Sequence, residues 1–299
     1  MDGPRLLVGD EALLDTISKF PPDIRSAPDK RAFWLALAVI RHFFGPDWVE
    51  ENIGLGNKAP GFLRLISSDD DKVESERSAF KIADLGEVLL NLQEIDGIDL
   101  PLGKMRNGEI EAGYAELDLG RMLYASGVTF RYVKPQQKRG LDYDVEITLP
   151  DGCVVCADAK CKIETTAFSE HTVKNSLQTA RKQFPEDRPS IIFVKVPAQW
   201  LEQKSIGKSL NDIAKEFLRG TGRIVSVKFY ISQLIWRDEL ATHNQMFAEI
   251  SNPNSRFDRA RDWNMFASPN PDGKWSTMPP RWRRLLYYPE DGPSEPAAS

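Results

Sequence analysis

The stretch DYDVEITLPDGCVVCADAKCK, residues 142–162, predicts two β-strands joined by a tight turn. The turn is Pro150-Asp151-Gly152, in which proline presets one backbone dihedral and glycine accepts a positive one. Side chains of a strand alternate between its two faces. The apolar residues of the first strand therefore share one face: Tyr143, Val145, Ile147 and Leu149. The opposite face carries charge, so we expect a hairpin with one side in the core.

The charged faces of these two strands bring acidic side chains together. Asp142 and Asp144 share a face of the first strand, and Asp158 and Lys160 share a face of the second. Crowded carboxylates repel each other unless positive charge lies between them, and a hard divalent cation is the usual solution. Mg²⁺ keeps several waters, which leaves room for a phosphate oxygen and an attacking water. Because a neighbouring lysine can orient that water or stabilise negative charge, the pattern predicts phosphodiester hydrolysis.

The flanking sequence predicts an α/β fold with a mixed central sheet flanked by helices. A helix, three meandering strands, a helix, a strand, a helix and a strand follow one another, at 107–127, 128–133, 141–149, 153–163, 170–184, 190–197, 205–219 and 223–231. The first of these helices carries Glu111 and Glu116, and the second carries Gln178 and Gln183.

An acidic residue in a helix, Asp144 on one strand and Asp158-Ala159-Lys160 on the next resemble the motif of the PD-(D/E)xK nuclease superfamily, which has the restriction-endonuclease-like fold. The resemblance covers residues 107–232 and includes the order of elements. It implies that Asp144, Asp158 and the backbone carbonyl of Ala159 bind the metal, with Lys160 as the catalytic lysine. It also implies a helical glutamate, best matched by Glu116 and next by Glu111, and a glutamine in the helix after the motif, Gln183 or Gln178.

Two positions depart from the pattern of that family. Tyr143 stands where proline is usual, and the acid at position 158 is the less frequent Asp. Asp142 shares a face with Asp144, so both are candidate metal ligands. The expected cofactor is Mg²⁺, for which Mn²⁺ can substitute, and the expected partner is nucleic acid, with DNA favoured over RNA.

Composition and cysteine usage exclude several other classes of protein. The chain has 299 residues and a formal net charge of −5, which does not favour a protein that coats nucleic acid electrostatically. Its three cysteines predict buried thiols in a cytoplasmic protein rather than a disulfide framework. The histidines lack zinc spacing. The longest apolar run, at 32–40, is too short to cross a bilayer, and we expect neither a signal peptide nor a membrane anchor.

Three regions are expected along the chain. Residues 1–105 are predicted to be helical, and this region is a candidate contact surface for a second copy of the chain or a partner protein. Residues 106–240 form the nuclease-like domain. Residues 241–299 are predicted to be an irregular C-terminal extension, in which Trp282 packs on the body.

Three hypotheses of different class follow for function. The first is a Mg²⁺-dependent endo- or exodeoxyribonuclease with Asp144 and Asp158 as metal ligands, Glu116 and Asp142 as candidate further ligands, and Lys160 aligning or activating water. The alternative is a catalytically weak nucleic-acid-binding module of the same fold within a larger assembly. A two-carboxylate enzyme acting on a sugar ranks last, because it leaves Lys160 without a role.

Overall fold

The computed structural model describes residues 7–54, 61–66, 72–237 and 240–263, together with Trp282 and Leu285; the side chains of 232–237 and 240–245 are not described. The chain divides into two compact units. The N-terminal unit comprises Met1–Glu94 and Trp275–Ser299, and the sheet unit comprises Ile95–Lys274. These units divide the chain at 94/95 and 274/275, whereas the sequence predicts three regions with boundaries at 105/106 and 240/241.

Helices build the N-terminal unit, as predicted, and their bounds are α1 Asp10–Ser18, α2 Pro22–Arg25, α3 Pro28–Phe44, α4 Pro46–Asn52 and α5 Lys72–Leu92. Helix α3 ends at Gly45, which has a φ of +87°, and Pro46 then opens α4. Helices α3 and α5 approach closely at Gly86, where an added Cβ would lie 2.4 Å from Cα of Ala36. Trp282 is buried, which agrees with the expected packing of this tryptophan. Within the described residues, no helix combines the length and the apolar character that crossing a membrane requires.

One mixed sheet organises the second unit. Its six strands in the described residues are β1 Thr129–Tyr132, β2 Val145–Thr148, β3 Val154–Cys161, β4 Ser190–Lys195, β5 Ile224–Arg237 and β6 Leu240–Ser251. Their spatial order follows the chain order. Strands β1, β2 and β3 are antiparallel neighbours, β4 and β5 run parallel to β3, and β6 returns antiparallel to β5.

Helices cover both faces of this sheet, with bounds α6 Asp99–Arg106, α7 Ile110–Ala125, α8 Glu170–Gln183, α9 Ile206–Arg219 and α10 Asp258–Arg261, and a 3₁₀ helix spans Ala198–Glu202. Helices α8 and α9 pack with Cys156, Ile192 and Val194 in one apolar core. Helix α7 lies on the other face, since it contacts Lys195 and Tyr230, which point opposite to that core. Every residue of α7 from 113 to 123 is buried.

The α/β architecture with a helix-flanked mixed sheet is confirmed, and two details of the prediction are wrong. The strand predicted at 141–149 begins only at Val145. Helix α6, which lies at the end of the region predicted to be helical, packs on the helix predicted at 107–127. Residues 240–251 are not irregular, because they form β6 along β5. The three cysteines are free thiols, but the prediction that they are buried is confirmed only for Cys156, since Cys153 and Cys161 are partly exposed.

Candidate functional site

The candidate site lies where β2 ends alongside β3. Strand β2 pairs with β3 only as far as Val145 opposite Ala157, whereas β3 continues to Cys161 against β4. Past Ala157, the edge of β3 that faced β2 is open. Asp144 fills this position, because its Oδ2 accepts a hydrogen bond of 2.9 Å from the N–H of Ala159. In a strand the N–H and C=O of one residue point to the same side, so the Ala159 carbonyl also faces this opening.

Asp158 and Lys160 project from β3 on the face covered by α8, as predicted for residues two apart in a strand. The Asp158 side chain is fully buried, and Nζ of Lys160 lies 3.1 Å from its Oδ1 and 2.8 Å from its Oδ2. The same ammonium donates to Oε1 of Gln183 at 2.6 Å. Gln183 in turn donates from Nε2 to the carbonyl of Asp142 at 3.0 Å. The Lys160 ammonium is therefore held at two points, by β3 and by the last residue of α8.

Glu116 reaches the site from α7, which is fixed over the sheet at several points. Tyr132 of β1 and Tyr230 of β5 donate to the carbonyls of Glu116 and Ala115, each at 3.3 Å. Two residues further along, Asp118 faces Lys195 of β4, with 3.4 Å between Nζ and Oδ2. These contacts hold the α7 backbone and place the Glu116 carboxylate on its β2 side, where it is buried.

Lys104 of α6 links Glu116 to Asp144. Its ammonium donates a short hydrogen bond to Oε1 of Glu116 and a second one of 3.2 Å to Oδ1 of Asp144. Helix α6 can come this close to α7 because position 113 is glycine: an added Cβ would lie 2.5 Å from Cγ of Met105 and 2.7 Å from the carbonyl oxygen of Pro101. We call Glu116, Asp144 and Asp158 the carboxylate site, and Lys104 and Lys160 are its two cationic neighbours.

Burial and mutual repulsion perturb the carboxylate site. Loss of hydration on burial, and then the charge of Asp144, raise the pKa of Glu116 to about 8. The same two causes raise the pKa of Asp158 well above its usual range, although Lys160 opposes them. Burial lowers the pKa of Lys104, but Asp144 and Glu116 together outweigh this effect and raise it. Without a bound cation, these raised pKa values favour the protonated forms of Glu116 and Asp158, because burial and a neighbouring carboxylate disfavour their negative charge.

The remaining predicted residues lie away from the carboxylate site. Asp142 accepts a hydrogen bond of 3.0 Å from the N–H of Gln137, so its carboxylate caps the preceding loop. Glu111, the alternative to Glu116, accepts from the N–H of Glu164 at 3.3 Å. Gln178, the alternative to Gln183, is exposed on α8. Of each pair of alternatives, the structure brings Asp144, Glu116 and Gln183 into the site.

The donor atoms of the site suit a hard divalent cation that keeps much of its hydration. Asp144 and the Ala159 carbonyl lie at the open edge of β3, and Asp158 projects from the α8-covered face of the same strand. In the described part of the chain, no three His, Cys, Asp or Glu side chains are placed so that together they could hold a metal ion. Mg²⁺ does not require such a group, since it typically binds one or two carboxylates together with water and substrate phosphates. The residues present therefore fit Mg²⁺ better than they fit a cation that needs a full set of protein ligands.

Lys104 is the site residue that sequence reasoning missed. A weak signal was present, since Ile98, Leu102 and Met105 have the spacing of one helical face and are all buried. This spacing indicates a short helix at 98–106 with Lys104 beside its buried face. The partner of Lys104 is not readable in this way, because Asp144 lies 40 residues away along the chain.

Comparison of the chain with protein-family models, with curated proteins and with solved structures yields no match.

Proposed function

We propose that the sheet unit is a metal-dependent nuclease that hydrolyses phosphodiester bonds in DNA. The observation that carries the proposal is the convergence of Asp144, Asp158 and Lys160 at the point where β2 leaves β3, with Gln183 holding the lysine. A surface salt bridge would not need a fully buried aspartate or a second anchor for its lysine. The restriction-endonuclease-like fold is part of this proposal, supported by the order α7, β1, β2, β3, α8, β4 that the motif resemblance implies.

Asp144 and Asp158 would hold the cation, with the Ala159 carbonyl as a further ligand. Mg²⁺ bound there would supply positive charge against the charge that develops on the phosphate during hydrolysis. The burial of both carboxylates strengthens their attraction for a cation, because little water screens it. Lys104 bridges the carboxylates of Glu116 and Asp144, so Glu116 lies close to Asp144 and adds negative charge to the site.

We assign to Lys160 the role of aligning or activating the attacking water. Its ammonium is fixed by Asp158 and Gln183, and the Lys160 side chain is 22% exposed. Of its three N–H bonds, two are directed to these partners, so the third can donate to a water or a phosphate oxygen. A donor held in place before the reaction stabilises developing charge without the cost of reorganisation.

The test is a cleavage assay on labelled linear duplex, single strand, circular plasmid, branched DNA and RNA, with Mg²⁺, Mn²⁺ or EDTA. Lys160→Ala should lower metal-dependent cleavage by about 10²–10⁴-fold, the usual contribution of a positioned proton donor or acceptor. Lys174→Ala is the matched control, because Lys174 is a partly exposed lysine of α8 that pairs with Glu216.

Equal cleavage by the Lys160→Ala variant and the parent protein would refute the assigned role. A folded parent protein that binds DNA but cleaves none of these substrates would instead favour the nucleic-acid-binding module.

A further inference from the structure

We infer that Lys104 is an internal counter-ion of the carboxylate site, which positions Glu116 and Asp144 before a divalent cation binds and which that cation displaces. This inference rests on the proposed function, since it concerns the same site. It assigns Lys104 as a positioning residue that acts through the carboxylates rather than on substrate.

The first support is the placement of the ammonium between two carboxylates. Nζ of Lys104 contacts Oε1 of Glu116 and lies 3.2 Å from Oδ1 of Asp144, so one positive charge bridges both acids. The other oxygen of Asp144, Oδ2, is already held by the N–H of Ala159. A cation that binds Asp144 on the Oδ1 side must therefore compete with the Lys104 ammonium for that oxygen.

The second support is that the side chain of Lys104 is more exposed than those of Glu116 and Asp144. The Lys104 side chain is 28% exposed, whereas those of Glu116 and Asp144 are 5% and 6% exposed. Neighbouring residues on α6, Leu102 and Met105, are fully buried, so the helix backbone is fixed in the core. The flexible four-carbon stem of a lysine can carry its ammonium towards solvent without movement of the helix.

The two lysines of the site differ in how they are held. Lys160 is bound by Asp158 and also by the amide oxygen of Gln183, a neutral partner that a cation at the carboxylates does not remove. The described partners of Lys104 are the two carboxylates themselves. A divalent cation neutralises these partners and repels the ammonium, so it removes the attraction that holds Lys104 in place. Lys104 is therefore the lysine that a bound cation releases.

Direct binding of Mn²⁺, measured from the EPR signal of the free ion without nucleic acid, tests the inference on the full chain. Lys104→Met removes the competing charge and keeps the apolar stem, so it should tighten Mn²⁺ binding by between about 10- and 10³-fold. Lys104→Arg keeps the charge, so its affinity for Mn²⁺ should stay within about threefold of that of the parent protein, a smaller change than the loss of a full charge produces. Lys174→Met, on the exposed face of α8, is the control for loss of a lysine as such.

Thermal unfolding gives a second readout. In EDTA, Lys104→Met should unfold at a lower temperature than the parent protein, because its carboxylates lack their counter-ion, and saturating Mn²⁺ should raise the midpoint more than it does in the parent protein. If the variant fails to fold in EDTA, refolding on addition of Mn²⁺ supports the inference. Failure to fold with Mn²⁺, when the parent protein folds, overturns it, because Lys104 is then needed for the fold itself.

The outcomes separate this inference from the proposed function. Tighter binding in Lys104→Met, including binding that appears only in that variant, supports the inference. Equal or weaker binding in Lys104→Met overturns it, while the proposed function stands if the parent protein binds Mn²⁺ and Asp158→Asn abolishes that binding. Absence of Mn²⁺ binding in both proteins overturns the inference and the metal-dependent function together.

Discussion

Replacement of Gly113 by alanine tests the close approach of α6 and α7 that brings Lys104 to the site. The new Cβ would lie 2.7 Å from the carbonyl oxygen of Pro101, whereas ordinary contact begins at 3.4 Å. The α6 backbone must therefore withdraw by about 0.7 Å, since Pro101 O is a backbone atom that no side-chain rotation can move. Overpacking of this kind costs about 1–3 kcal/mol.

Gly103→Ala is the matched control for this substitution. Gly103 lies within α6, and an added Cβ there has no other atom within 4 Å. Both variants gain about 1 kcal/mol of helix propensity, so the difference between their free energies of unfolding isolates the overlap at about 1–3 kcal/mol. Gly103→Ala should stabilise the protein, and Gly113→Ala should be the less stable of the two by this amount.

Amide hydrogen exchange of peptides that cover 99–125 is the appropriate assay. It reports the opening free energy of α6 and α7 themselves, which a single global unfolding curve does not isolate in a chain with two compact units. Equal protection of these peptides in the two variants would refute the close approach of the helices and the placement of Lys104 that depends on it.

Three further predictions concern the site itself. Burial and Asp144 raise the pKa of Glu116 to about 8 from 4.5, so its contribution to stability in EDTA is fully present below pH 4.5 and is lost as the pH rises through 8. The side chain of Glu116→Gln stays neutral, so this variant should flatten that part of a plot of unfolding free energy against pH. An unchanged plot would contradict the assignment. Asp144→Asn should weaken Mn²⁺ binding measured by EPR, whereas Asp142→Asn should not, because Asp142 caps a loop; equal losses would show that both are ligands. Gln183→Leu removes one hydrogen-bond partner of Lys160, so it should lower the cleavage rate about 10-fold while the affinity for Mn²⁺ stays close to that of the parent protein. A loss of Mn²⁺ affinity without a loss of cleavage rate would argue against the role of Gln183 in holding Lys160.

The hairpin and the pairing of Asp158 with Lys160 were predictable, because both depend on neighbours in the chain. The Pro150-Asp151-Gly152 turn has local chemistry, and Gly152 has the expected positive φ of 83°. Alternation in a strand places residues two apart on one face whatever the rest of the protein does. The choice of Gln183 over Gln178 was also within reach, since the buried stripe of Val173, Leu177 and Ala180 on α8 has Gln178 on its far side.

The choice between Asp142 and Asp144 was not predictable from the pattern of the strand. Both residues share a face in an ideal strand, but β2 begins only at Val145, and the residues before it follow other contacts. Tyr143 packs into the core with Phe184, and Asp142 turns back to the N–H of Gln137. Asp144 still donates its backbone N–H to Ala157 and accepts from Val133, but residues 142–144 precede the regular pairing, and strict alternation holds only within a regular ladder.

The sequence by itself determined most of the helices and strands, the acidic hairpin and the lysine beside it, because propensity, alternation and turn chemistry act over a few residues. Only the tertiary structure decided which charges meet. Lys104 joins Glu116 and Asp144 across 12 and 40 residues of chain, and Gly113 permits this only because α6 and α7 pack against each other. The net charge of a buried site depends on residues from several elements that folding brings together, so no local pattern in the sequence predicts it.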